Sequence, residues 1–96
     1  MEITHIEKGG RGAFIVRGDG KRLAEMAYRN EVDTAFITID HTEVDESLRG
    51  QKVGDKLLAA VVEHARKNNL KIHATCSFAF KKLHGNVEYA DVFEDQ

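Results

Sequence analysis

Apolar and polar positions alternate through the first half of the chain, and the period changes near its middle. In GAFIVRG (12–18), Phe14, Ile15 and Val16 form a short apolar run, and Gly18-Asp19-Gly20 after it is a turn signal. In RLAEMAYR (22–29), Leu23, Glu25 and Ala27 alternate with Ala24, Met26 and Tyr28, the pattern of a hairpin partner. NEVD (30–33) predicts a second turn. TAFITIDHTEV (34–44), rich in β-branched and aromatic residues, predicts a third strand. Period-two spacing assigns Phe36, Thr38, Asp40, Thr42 and Val44 to one face of it and Ile37, Ile39, His41 and Glu43 to the other.

From Val53 the spacing becomes helical. Val53, Leu57, Leu58, Val61, Val62 and Ala65 fall on one face, with Asp55, Lys56, Glu63, Arg66 and Lys67 opposite and KNN (67–69) as a stop. LKIHATC (70–76) returns to strand, with Leu70, Ile72, Ala74 and Cys76 on one side. Ser77 is the expected N-cap of a short helix running to about His84 and ended by Gly85. The tail NVEYADVFEDQ (86–96) is compatible with a helical turn, a short strand or both. The sum is an α/β chain with a mixed sheet: an antiparallel meander of three strands, then a β-loop-α-β crossover and a short helix. Such a crossover makes its two strands parallel, and ligands favour the carboxyl ends of strands so joined.

Composition narrows the class. Ninety-six residues suit one domain, 1–96, with a modest core. The 42% apolar and 31% charged fractions are those of a soluble globular protein. A net charge of −2, with both signs interspersed, gives no basic stripe for nucleic acid. No run is apolar enough to span a bilayer, and MEITHIEKGG lacks a signal-peptide core. One cysteine allows no internal disulfide. These points predict a cytoplasmic protein with neither nucleic acid nor membrane as partner.

The chemistry concentrates in two places. SLRGQKVGDKL (47–57) sets Gly50 and Gly54, with Arg49, Lys52 and Lys56, at the start of the long helix. Unpaired amides and a partial positive charge there attract phosphate. The segment is neither a Walker loop nor a GxGxxG fingerprint, so a phosphate cradle and a solvated loop both stand. The second place is Cys76, at a strand end where a helix begins. It is either a small core residue or a nucleophile, since thiols at helix starts gain reactivity. His41, in line with Ile37 and Ile39, is either a hydrogen-bonded core residue or a base toward Cys76 or an amine. His5, His64 and His84 are too scattered in sequence to predict a metal site.

The stretch HTEVDESLRGQKVGDKLLAAVVEHARKNNLKIHATCSFAFKKL (41–83) resembles the core of GNAT-superfamily acyltransferases. Their Gln/Arg-x-x-Gly-x-Gly/Ala element is met by Arg49-Gly50-Gln51-Lys52-Val53-Gly54, matched at Arg49 and Gly54, with Lys52 in place of the middle glycine. The resemblance is closer to a small subgroup through His41-Thr42-Glu43-Val44, Arg49-Gly50-Gln51, Cys76-x-Phe78 and EYADV (88–92), and extends from Phe36 onward. It implies that acetyl-CoA binds, its pantetheine arm on the backbone of Thr42, Glu43 and Val44. Its diphosphate would then lie on Arg49, Gly50, Gln51, Lys52, Val53 and Gly54. The thioester would lie between the strand of His41 and Cys76. Transfer to an unidentified amine, directly or through acetyl-Cys76, is the activity implied, with no metal. The strand-helix-helix portion that shapes an acceptor pocket in longer members has no counterpart in this sequence. That leaves a non-catalytic coenzyme-binding module, or a structural domain, as alternatives.

Overall fold

The alternation becomes a five-stranded sheet with strands in sequence order: β1 (Thr4–Lys8), β2 (Arg11–Gly18), β3 (Lys21–Asn30), β4 (Phe36–Val44) and β5 (Lys71–Ala74). The computed structural model describes residues 1–95; Gln96, the last residue of the predicted tail, lies outside them. β1 to β4 pair antiparallel, and β5 joins β4 in parallel. The meander thus has four strands, not three. β1 eludes the hydrophobic pattern because all five of its residues are exposed. At the β2–β3 turn Asp19 and Gly20 both take left-handed backbone (φ 51° and 76°), the geometry that matches the twist of a tight hairpin.

Between β4 and β5 runs helix α1 (Val53–Lys67), and all six of its predicted apolar positions are buried. They pack on Phe14 and Val16 of β2, Ala24, Met26 and Tyr28 of β3, and Ile37 and Ile39 of β4. Each such side chain contributes about 1.5–3 kcal/mol on burial, so this stripe is the main weight of the core. Helix α2 (Ser77–Leu83) adds Ala79 and Leu83 to the same cluster. Its N-cap is Cys76 rather than Ser77, and no side chain caps it. Both helices therefore cover one face. On the other, Ala13, Ile15 and Ala27 are buried beneath ion-paired side chains, Arg11 with Asp40 at 2.9 Å among them.

The tail resolves into a 3-10 turn (Val87–Tyr89) and a bridge that sets Phe93 parallel to Ile72. The Ile72 amide donates to the Val92 carbonyl (2.7 Å), and the Glu94 amide to Ile72 (3.0 Å). The tail is thus both turn and strand, and it covers the outer edge of β5.

Candidate functional site

β4 carries the decisive irregularity. Ala27 pairs with His41 and Tyr28 with Ile39, so Asp40 is an extra residue, a bulge. A bulge resets the alternation. Ile37 and Ile39 are buried in the helix-side core; beyond the bulge it is Thr42 and Val44 that turn to that side, while His41 and Glu43 are exposed. The strict alternation expected from sequence thus fails after Asp40. His41 does not continue the Ile37–Ile39 row. Its ring is 53% exposed, with Glu43 Oε1 3.8 Å from Nε2. Among the described residues no hydrogen bond joins His41 to Cys76. Cys76 is instead half-buried, its Sγ 3.2 Å from the Thr42 hydroxyl.

β4 and β5 part company at the same point. Their ladder ends at Ile39 and Ala74, and the amides of Thr75 and Cys76 both turn onto the Ile39 carbonyl (2.9 and 3.2 Å). β4 then runs on to Val44 with a partner only in β3. The backbone of Thr42–Val44 therefore has no ladder partner on the β5 side, where Cys76 meets the Thr42 side chain.

The same strand feeds the glycine loop. Asp45 accepts from the Ser47 amide and caps a 3-10 turn, Glu46–Leu48. Gly50 then adopts φ 81° and has open space where a side chain would stand. Lys52 is the N-cap of α1 and is itself left-handed, at φ 56°, with no side-chain cap. This is the position where the resembled motif carries glycine; the backbone keeps the glycine-like conformation although the residue is lysine. The first helical amide bond is Lys56 to Lys52 (3.1 Å), which leaves the amides of Val53, Gly54 and Asp55 facing out of the helix end. The side chains of Arg49, Gln51 and Lys52 are exposed around them, whereas that of Val53 is buried in the core.

Gly54 has a role that the sequence reading did not foresee. A Cβ there would stand 2.6 Å from Phe78 Cζ, so the missing side chain lets α2 close on α1. Lys82 Nζ lies 5.8 Å from the Phe78 ring centre and pairs with Asp55 at 3.1 Å. That pairing offsets the carboxylate at the helix start. The Cys76-x-Phe78 motif carried the signal, but the contact joins residues distant in sequence. A second grouping is also new. His5 and His64, far apart in the chain, meet beside Glu7, which corrects the expectation of scattered histidines. Among the described residues, no helix is long and apolar enough to cross a membrane.

Residues 13–92 match the GCN5-related N-acetyl-transferase profile, and the chain belongs to that family. A solution structure of a GCN5-like protein from Staphylococcus aureus is similar over 99% of this chain and 89% of its own, with 46% identity and a TM-score of 0.73. Protein NATD1 of Danio rerio is 27% identical over 86 residues, covering 90% of this chain and 76% of that protein. Protein NATD1 of Homo sapiens is 26% identical over 86 residues. Nourseothricin acetyltransferase, at 23% identity and a TM-score of 0.54, shares the fold over 66% of this chain.

Proposed function

We propose that this chain binds acetyl-CoA along the free edge of β4 and passes the acetyl group to an amine. The observation that carries this reading is the parting of β4 from β5 at Ile39, with Cys76 at the fork and the loop of Gly50 at the far end. The backbone of Thr42, Glu43 and Val44 has no partner on the β5 side and suits an amide-bearing arm laid alongside as an added strand. The amides at the start of α1 and the turn at Gly50–Lys52, with the charges of Arg49 and Lys52, suit its diphosphate. The residues present thus fit the coenzyme. When bound, it supplies an activated acetyl thioester.

Cys76 is the acetyl-accepting nucleophile in this reading. A bond forms from Sγ to the acetyl carbon as that carbon's bond to the coenzyme sulfur breaks; the departing sulfur keeps the electron pair and takes up the thiol proton. The Thr42 hydroxyl, 3.2 Å from Sγ, turns to donate to the sulfur when its proton is lost. In the second step an amine nitrogen attacks the acetyl carbon, the bond to Sγ breaks, and the amine proton must leave. His41, exposed on the face of β4 away from Cys76, takes that proton through solvent from an acceptor that arrives on the helix-free face. Localisation in the cytoplasm and one domain over 1–96 are part of the same proposal.

Intact mass and coenzyme affinity, measured on wild type and Cys76→Ala after incubation with acetyl-CoA, test it. One acetyl group on wild type, none on Cys76→Ala and equal affinity in both is the expected result. Binding with no acetylation and no turnover on an amine panel leaves a coenzyme-binding module. Backbone resonances of residues 42–54 unmoved by saturating acetyl-CoA overturn the whole reading.

A further inference from the structure

At the β1 edge of the sheet, opposite the β5 edge, three side chains converge that the transfer chemistry does not use. His5 and Glu7 share one side of β1, and His64 comes down from α1; a donor atom from each lies within 4.8 Å of the other two. We propose that His5, Glu7 and His64 bind one divalent transition-metal cation, of which zinc is the representative, and that this ion clips β1 to α1.

The donor set is the first argument. Two imidazoles and one carboxylate suit zinc-like ions rather than calcium or magnesium, and leave a fourth position open to water. The second argument is that each donor is already oriented by a neighbour, as metal ligands are. The His5 ring lies flat on Phe14, with centroids 4.2 Å apart and planes at 1°. The buried Tyr28 hydroxyl is 2.7 Å from His5 Nε2 and donates to Glu7 Oε2 at 3.0 Å. The Asn68 amide nitrogen donates to the His64 carbonyl (2.8 Å) and stands 3.3 Å from His64 Nδ1, which holds the ring in place.

Closing the set around an ion means drawing the donors to about 3.3–3.5 Å apart, the spacing of ligands at about 2.0–2.1 Å in a tetrahedron. His5 and Glu7 are exposed and free to make that movement. β1, exposed along its whole length, is the element that gains most from a second anchor.

The test is titration of the tag-free full chain with Zn²⁺, then Co²⁺, followed by calorimetry and by spectra of the histidine ring nitrogens. One ion per chain is expected, with the rings of His5 and His64 shifting while those of His41, His73 and His84 stay still. Zinc should raise Tm, and the Co²⁺ form should show visible d–d bands without a thiolate charge-transfer band. Glu7→Gln should weaken binding at least tenfold, and His64→Ala should abolish it. Tyr28→Phe, which removes an orienting hydroxyl but no ligand, should still bind one ion. His5→Ala, on an exposed strand, keeps the test open if His64→Ala disturbs the helix. The absence of saturable binding, attachment through Cys76, or affinity undiminished in both histidine variants overturns the proposal.

Discussion

Lys52 occupies backbone that lysine dislikes. Its φ of 56° brings Cβ against the following carbonyl, a cost of about 1–2 kcal/mol for an L-residue. Glycine escapes that cost but loses about 0.5–1 kcal/mol through the entropy of its unfolded chain. Lys52→Gly is therefore expected to stabilise the fold by up to about 1 kcal/mol, read as a higher urea midpoint at unchanged slope. In the proposed complex the same change removes an ammonium group from the diphosphate cradle, so coenzyme affinity should fall, and fall less at high salt. A variant that is both less stable and equally tight would show that lysine stands there for some other reason. The opposite logic holds at Gly54, which is helical and ordinary in backbone but has no room for a methyl group beside Phe78. Two glycine-type positions in one motif thus answer to different forces: one to backbone conformation, the other to packing between helices.

At the scale of elements, β4 is the piece on which the site turns, and Asp40 is the residue that makes it turn. The extra residue sends Thr42 toward Cys76 and His41 away from it, and Arg11 grips the Asp40 carboxylate through both guanidinium nitrogens at 2.9 Å. That grip, against a smaller cost of burial, holds Asp40 below the usual carboxylate range. A carboxylate whose folded pKa is depressed adds stability above its unfolded value, near 3.8, and sheds it as pH falls through the folded one. Denaturation midpoints measured from pH 6 down to about pH 2 should thus decline below about pH 4, and Arg11→Met should flatten that decline. An unchanged profile in Arg11→Met would assign the acid sensitivity elsewhere. The strand, helix and crossover positions were legible in the sequence because burial imposes a period: α1 starts at Val53 and stops at Lys67, where spacing and stop signal put them. What was not legible depends on partners distant in the chain. A bulge leaves no mark in the alternation of Ile37, Ile39 and His41, and the cluster of His5 with His64 exists only once β1 lies beside α1. β1 itself, Thr4–Lys8, has no buried residue for a pattern to reveal.

For the molecule as a whole, the two edges of the sheet are finished differently. The β1 edge is exposed and tied to the helix layer by side chains alone. The β5 edge is closed by the tail, which returns across the molecule to reach both the sheet and α1. Val92 is buried at 4% exposure, Phe93 bridges Ile72, and Lys71 Nζ donates to the Asp91 carbonyl at 2.6 Å. Arg66 of α1 clasps the Asp91 carboxylate at 2.9 and 3.0 Å and reaches the Glu88 carbonyl at 2.9 Å. β5 has only four residues and its ladder with β4 stops at Ala74, so the tail is its second support. Without that support the segment that leads to Cys76 would loosen against Thr42. Val92→Ala should cost about 1–3 kcal/mol by deleting buried methyl groups and leaving a cavity. The distinctive expectation concerns where that cost appears. Amide hydrogen exchange should quicken in β5 and α2 while β2 and β3, paired on both sides, keep their protection. Exchange that quickens equally in every strand would mean that the tail braces the whole core rather than the wall of the site.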